Sequence, residues 1–365
     1  MLNVLHYVSK MDRAGQETFI MNLFRKIDRE KIQFDFLCSE IEVGDYDEEI
    51  SSLGGNIFYV PQIAMRGPIK QIQKFFELFK ILRKHRCDVF HIHTHHAMDA
   101  FRDALAAKMC GIKIVVVHSH NTNTLYHLGT HKVFKSFLKI LSIRRFACSK
   151  AAGEWMFGKS RYTVIHNALD LETSYFRQEY REKVRQRMGW NNKKIIGHVG
   201  RFNAQKNHCF LIEIFDVIHH IDKNTQLVLV GKGELEEKIR RLVDEKGLSH
   251  SVSFLGMRED VKMLYQGMDM LLFPSLFEGL SVVLIEAQAC DLPCLVSDTN
   301  SEETVVTERL YMKSLNNTAR EWAEEAINLL NTSTPRNDNR DEMRQSGYDI
   351  LELAGTLESV YMKKR

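Results

Sequence analysis

Short apolar runs alternate with longer amphipathic stretches along nearly the whole chain, and no other feature constrains its fold so tightly. Strands read at 3–8, Gln33–Cys38, Asn56–Val60, Asp88–Ile92 and Lys113–His118, with helical stretches at 16–27, 46–53, 69–85 and 97–110 between them. A strand covered on both faces reads as a continuous apolar run, and parallel pairing needs a long crossover such as a helix. The alternation therefore predicts an α/β fold with a parallel, doubly wound sheet. Further strands at 144–148 and 162–165 lead to His166-Asn167-Ala168-Leu169-Asp170, where the first series ends. The pattern then restarts with helix 178–188, strand 194–200, helix 207–219, strand 226–230 and helix 234–246. Strands 252–255 and 269–273, helix 283–290 and strand 293–297 complete it.

With 365 residues, the chain exceeds what one hydrophobic core usually organises. Two Rossmann-like domains are expected, 1–170 and 171–346. Residues 335–341 form a polar connector, and a last helix at 347–363 has an apolar face that must pack on something. Ligands of open parallel sheets bind beyond the carboxyl ends of the strands. Two such sheets facing each other would make an interdomain cleft.

Composition narrows the setting. Seven cysteines are scattered without a CxxC pair, which reads as free thiols in a reducing compartment and not as a disulfide frame or zinc site. The N-terminus has no basic, apolar secretion pattern, and no run approaches the roughly 20 apolar residues of a membrane span. The expected location is cytoplasmic. Charge is uneven: residues 66–165 hold 18 Lys/Arg against 5 Asp/Glu, a net of +13, while the rest of the chain carries −10. Such asymmetry points the first half at an anionic partner. An anionic membrane surface is one option, on the inner face of the cytoplasmic membrane. Within 131–141, Val133, Phe134, Phe137, Leu138 and Leu141 make a helical stripe flanked by Lys132, Lys135 and Lys139. That stripe is either an interfacial face or a core-facing one with solvated lysines. Nucleic acid is not expected, because no aromatic-interleaved groove or known module accompanies the charge.

The chemistry concentrates at strand ends. After strand 194–200 come Arg201 and Lys206, five residues apart, an Arg fork and a Lys point charge suited to clamping a diphosphate. After strand 269–273 comes Pro274-Ser275-Leu276-Phe277-Glu278-Gly279-Leu280-Ser281, a glycine-containing turn into a helix whose first N–H groups can hold phosphate or sugar oxygens. Glu278 and Glu286 lie eight positions apart, roughly 10–12 Å at helical rise. That is too far for a shared proton or a single metal. It suits a ligand with two hydroxylated ends, such as a sugar joined to a nucleoside through a diphosphate. The turn at Gly256 and Met257 borders the base by its position on the sheet, without revealing which base. Gly231-Lys232-Gly233 could be a mononucleotide loop, but it is not a P-loop.

Gly200-Arg201-Phe202-Asn203-Ala204-Gln205-Lys206, the Glu278/Glu286 spacing and Met11-Asp12-Arg13-Ala14-Gly15-Gln16-Glu17 resemble retaining glycosyltransferases of the GT-B fold, family 4, of the capsular and exopolysaccharide type. The resemblance covers essentially the whole chain. It implies two facing Rossmann-like domains, with the C-terminal helix crossing back to the first. It further implies that Arg201 and Lys206 neutralise the donor diphosphate, that Glu278 holds the sugar hydroxyls and that Glu286 holds the ribose. Gly279, Leu280 and Ser281 would give backbone N–H groups, and Gly15 would let its loop approach the phosphates. His118 would sit under the sugar near the anomeric carbon. No metal or other cofactor is implied, since Arg and Lys carry the neutralisation. The implied partners are a nucleotide-sugar donor, a UDP-sugar by resemblance, and a saccharide acceptor, lipid-linked in surface polysaccharide assembly. The chain departs from the family pattern at Ala14 and Asp291, where glycine is usual, and at Ser281.

Two other readings remain open on the residues. His91, His93, His95 and His96, followed by Asp99, resemble a metallo-hydrolase loop, with His118, His120 and His166 available as further ligands. A nucleotide-sugar epimerase on the same fold would use the same donor residues.

Overall fold

The computed structural model describes residues 1–63, 67–121, 128–278, 280–332 and 334–362. The chain divides into two compact units, Met1–Asp170 with Gly347–Arg365 and Leu171–Ser346.

The first unit runs β1 (Leu2–Val8), α1 (Gly15–Lys26), β2 (Ile32–Cys38), α2 (Asp47–Ser52), β3 (Ile57–Tyr59), α3 (Gly67–Lys84) and β4 (Val89–Thr94). It continues through α4 (Ala97–Met109), β5 (Ile114–Ser119), α5 (Leu128–Phe137), β6 (Arg144–Ala147), α6 (Lys150–Phe157) and β7 (Thr163–Val164). The strands form one parallel sheet in the order β3-β2-β1-β4-β5-β6-β7. Side chains alternate across it. Val4 and Val8 join Phe34, Phe36 and Val116 beneath Phe19, Leu23 and Phe24 of α1, whereas Leu5, Leu37, Phe90, Val115 and Val117 meet Leu78, Leu82 and Ala104 of α3 and α4.

The second unit runs α7 (Leu171–Ser174), α8 (Gln178–Met188), β8 (Lys194–Val199), α9 (His208–Ile221), β9 (Thr225–Val230), α10 (Glu236–Glu245) and β10 (Val252–Phe254). It closes with α11 (Val261–Gly267), β11 (Met270–Phe273), α12 (Val282–Ala289), β12 (Cys294–Ser297), β13 (Leu310–Lys313), α13 (Ala319–Thr332) and α14 (Arg340–Gln345). Its parallel sheet has the order β10-β9-β8-β11-β12-β13. The doubly wound, parallel α/β architecture read from the alternation is thus present twice.

The sequence reading passed over β13 and α13. β13 is a four-residue edge strand, and α13 packs through Trp322, Ala323, Ala326 and Leu329, two of them alanines with little apolar signal. The expected connector at 335–341 is fixed on the unit instead of spanning space. The Arg336 guanidinium donates to the carbonyls of Tyr265, Gln266, Met268 and Cys290 and lies 4.3 Å from the Phe176 ring centroid. Burial brings its pKa down to about 10.

The last helix, α15 (Ile350–Met362), completes the first unit. Ile350, Leu353, Ala354, Leu357 and Tyr361 enter the core shared with α1. Leu169 N–H donates to the Tyr348 carbonyl at 2.9 Å, and Ile350 N–H to the Leu169 carbonyl at 3.0 Å. Among the described residues, no helix is long and apolar enough to cross a membrane.

Candidate functional site

In the second unit, the chain winds outward from β8 to β10 and then from β11 to β13, so neighbouring β8 and β11 mark the point where strand order reverses. Crevices at such points are where open α/β sheets bind ligands. The two loops leaving these strands are joined. Leu276 N–H donates to the Gln205 carbonyl at 2.8 Å, Gln205 Nε2 to the Phe277 carbonyl at 2.9 Å, and Asn207 Nδ2 to the Pro274 carbonyl at 3.1 Å. A 3₁₀ turn at Ala204–Lys206 is capped by the Asn203 side chain, which accepts from Lys206 N–H at 3.2 Å.

This turn delivers Lys206 to Glu278. Its Nζ lies 2.5 Å from Glu278 Oε1 and 4.5 Å from the Phe273 ring centroid, with the two side chains only 13% and 8% exposed. The Lys206 stem lies along Gly200, where an added Cβ would come within 3.1–3.2 Å of three of its carbons. Arg201 is placed differently. Its side chain is 73% exposed and approaches Glu234 at 3.5 Å. The two cations expected to act as one clamp are therefore an enclosed, ion-paired one and an exposed one beside it.

Around them, the structure separates the remaining expected residues. Gly231 (φ +136°) and Gly233 are required by packing: a Cβ on Gly231 would meet the Gly200 carbonyl oxygen at 2.0 Å, and one on Gly233 the Phe202 backbone at 2.4 Å. They support the Arg201 loop from behind, which the sequence alone could not distinguish from a phosphate loop. Met257 is exposed beside Gly256, whose carbonyl accepts from Gly231 N–H at 2.9 Å. Ser281 is the buried residue preceding α12, with Leu280 before it; Gly279 lies outside the described residues. Glu286 is on α12 and accepts from Tyr265 Oη at 3.4 Å. Burial raises its pKa, against the opposing pull of Lys262 and Tyr265.

The departure at Asp291 has a structural reason. Asp291 adopts φ +50°, the left-handed region where glycine costs least, at the end of α12. Its carboxylate takes two 3.0 Å bonds from Arg309 and one of 2.7 Å from Asn337 N–H. Side-chain bonds here replace the conformational freedom of glycine. Ala14, by contrast, is extended at φ −122°, ψ 169°, a conformation any residue adopts, and Gly15 opens α1 as an exposed residue.

In the first unit, the strand register gathers histidines. His6 lies opposite His91 and His93 opposite His118, and the two-residue period puts them on the α1 face together with His120. His6 Nδ1 is 3.0 Å from His93 Nε2, His93 Nδ1 is 2.9 Å from His120 Nε2, and His91 Nδ1 is 2.8 Å from Tyr361 Oη. Burial lowers the pKa of His6 and of His120 to about 3 each and drives those of His91, His93 and His118 well below the usual range. All five are neutral at pH 7. His118, expected under the sugar, is fully enclosed, with Phe19 edge-on at 5.6 Å. His120, just past the same strand, is partly exposed. His6 could not be found by motif, because only the pairing of β1 with β4 brings it in.

The same register divides the histidines of the metallo-hydrolase reading. His95 is exposed and His96 caps α4, accepting from Met98 N–H at 3.2 Å, while His91 and His93 turn inward. Among the described residues, two groups converge closely enough to hold a metal ion, His6 with His91 and His93 and His93 with His118 and His120, and neither contains His95 or His96. The helical stripe expected over 131–141 also divides, and α5 itself ends at Phe137. Phe134, Leu138 and Leu141 pack into the core, whereas Val133, Phe137 and Ile140 are exposed.

Each unit is a parallel-sheet, Rossmann-like unit, and the second carries its charged residues at the switch point where such sheets bind ligands. A family model for glycosyl transferases group 1 matches residues 193–332, and one for glycosyltransferase family 4 matches residues 13–173. A relative named "Putative glycosyltransferase EpsF", from Bacillus subtilis (strain 168), is 35% identical over 98% of this chain and 96% of its own length. The UDP-Gal:alpha-D-GlcNAc-diphosphoundecaprenol alpha-1,3-galactosyltransferase of Escherichia coli is 26% identical over 80% of this chain and 78% of its own length. The crystal structure of Anabaena Alr3699/HepE in complex with UDP-glucose superposes with a TM-score of 0.71 at 18% identity, covering all of this chain and 96% of that one. The chain belongs to the family 4 glycosyltransferases, and its fold is GT-B.

Proposed function

We propose that this glycosyltransferase moves a sugar from a UDP-sugar to a lipid-linked saccharide, with retention of anomeric configuration and without a metal, in surface polysaccharide assembly. The observation that carries the reading is the Lys206–Glu278 pair at the β8/β11 switch point, with Arg201 beside it. An arriving diphosphate takes Lys206 as its counter-ion and draws in the Arg201 fork. Glu278, released from Lys206, accepts from the sugar hydroxyls, and Glu286 accepts from the ribose. The cations stabilise the charge that develops on the departing diphosphate, which is the largest usual contribution of a preorganised site. In a front-face displacement, a diphosphate oxygen takes the proton of the acceptor hydroxyl as the new glycosidic bond forms. By resemblance, His118 is the imidazole assigned to the sugar, with His120 two residues on.

The donor and acceptor classes follow those of the relatives: UDP-Gal and a diphosphoundecaprenol-linked sugar in the Escherichia coli enzyme, and UDP-glucose in the Anabaena complex. A lipid-borne acceptor places the reaction at the cytoplasmic face of a membrane. The exposed Val133, Phe137 and Ile140, with Lys132 and Lys139 beside them, suit an anionic surface there.

Thermal shift against UDP-, GDP- and ADP-sugars tests the donor, since a bound ligand stabilises by mass action. UDP released only when acceptor is present, unchanged by EDTA, supports transfer; acceptor-independent isomerisation of the sugar would replace it with an epimerase. Product with inverted anomeric configuration would refute retention. Absence of co-sedimentation with anionic vesicles at any salt concentration would remove the membrane part alone.

A further inference from the structure

The histidines on the α1 face of the first sheet leave half of their nitrogens unused. His6 Nδ1 meets His93 Nε2, His93 Nδ1 meets His120 Nε2, and His91 Nδ1 meets Tyr361 Oη. Among the described residues, His6 Nε2, His91 Nε2, His120 Nδ1 and both nitrogens of His118 are buried without a partner. Buried polar atoms are normally paired with protein, water or an ion, so a cluster of this kind calls for an occupant.

One nitrogen each of His93, His118 and His120 lies within 4.8 Å of the others, as does one each of His6, His91 and His93. Tetrahedral zinc holds imidazole nitrogens at about 2.0–2.1 Å, which sets them about 3.3–3.4 Å apart. The 2.9 Å contact of His93 with His120 is already close to that spacing. The outer trio suits an ion better than the inner one. His118 has both nitrogens uncommitted, whereas His91 is held by Tyr361. His120 is partly exposed just past β5, whereas His6 and His91 are fully buried. His6 Nδ1 stands 3.0 Å from His93 Nε2, where it can accept the hydrogen that His93 keeps when its Nδ1 binds a metal. Phe19 and Phe146 lie 5.6 and 5.9 Å from the His118 ring and add an apolar wall. Burial keeps the three rings neutral at pH 7, so each offers a lone pair without first losing a proton.

We propose that His93, His118 and His120 form a binding site for a divalent transition-metal ion, Zn²⁺ foremost, with water or a small anion as its fourth ligand. Imidazole nitrogen suits zinc, copper and nickel, whereas Mg²⁺ and Ca²⁺ take oxygen, which the trio does not offer. The site belongs to the first unit alone. It does not rest on the transfer reading, in which Arg201 and Lys206 neutralise the phosphates.

The test uses the full chain, stripped with EDTA, desalted and dialysed against Zn²⁺. Elemental analysis should find one more ion per chain in the parent than in His120→Gln, whose affinity should be about 100-fold or more lower. Zn²⁺ at about 100 times its Kd should raise the melting temperature of the parent's first unit by about 5–10 °C, and that of the variant hardly at all. Co²⁺ in the same site should give the visible bands of a tetrahedral ion without a sulfur charge-transfer band. His93→Leu should lose the ion as well; if that variant does not fold, His120→Gln, at a partly exposed position, decides. Equal zinc in parent and His120→Gln is adventitious and overturns the proposal. A parent that binds no zinc holds only water there and overturns it too. Zinc lost in His91→Asn but kept in His120→Gln would move the ion to the inner trio and refute this assignment.

Discussion

Removing the charge of Lys206 tests the centre of the site, because its effect on stability and its effect on catalysis should part. At 2.5 Å, the Lys206–Glu278 attraction is about 6–7 kcal/mol with an effective dielectric near 20. Much of that is returned as desolvation, because both side chains are almost enclosed. Lys206→Met keeps the stem against Gly200 and Phe273 but leaves the Glu278 carboxylate without its partner. Breaking one side of a buried pair costs about 3–5 kcal/mol. For a unit of this size, that is a fall in melting temperature of about 6–20 °C. Trp190 and Trp322 are buried in the same unit and report its unfolding by fluorescence. Adding Glu278→Gln should recover most of the loss, because no unpaired charge remains. Transfer should stay about 100-fold or more below the parent in both variants. If the double variant melts no higher than Lys206→Met, the pair is not the electrostatic unit described.

Glu17 in the first turn of α1 has its pKa raised to about 7 by burial. A raised carboxyl favours the folded state when protonated, so this contribution is full below the unfolded value of 4.5 and is lost as pH rises through 7. Urea unfolding of the first unit should weaken by about 3 kcal/mol across that window, and Glu17→Gln should flatten the slope. Asp291→Ala should destabilise the second unit by about 3 kcal/mol and Asp291→Gly by about 1 kcal/mol less, since glycine accepts the positive φ; equal losses would deny the backbone its part. Gly231→Ala should displace the loop carrying Arg201 and weaken binding of the proposed nucleotide-sugar donor about 10-fold or more by calorimetry, with the second unit still folded. Unchanged affinity would show that the loop tolerates the shift.

The alternation of apolar runs made the sheets legible, since buried parallel strands leave a plain sequence signal. Arg201, Lys206 and Glu278 were legible because each sits just past such a run. What could not be read was anything set by register or by the far end of a side chain. Lys206 and Glu278 are 72 residues apart and their pairing depends on two loops meeting. Sequence showed His91, His93, His118 and His120, but not which face they share or that His6 joins them. It treated Asp291 as a departure, because its partners Arg309 and Asn337 lie outside any motif. His118 is fully buried and His120, one strand period on, is partly exposed, a difference at the strand's end that no spacing encodes.

The return of α15 to the first unit has a consequence for biosynthesis. A ribosome delivers residues 1–170 long before residues 347–362, so the strands of the first unit emerge with one side of their core uncovered. Ile350, Leu353, Leu357 and Tyr361 arrive only after the whole second unit has been made. The nascent first unit must wait in an incomplete state with Phe19, Phe34 and their neighbours in want of a cover, and chaperones have their natural substrate in that interval. Translation that stops before residue 347 should therefore yield a chain whose second unit is finished and whose first is not.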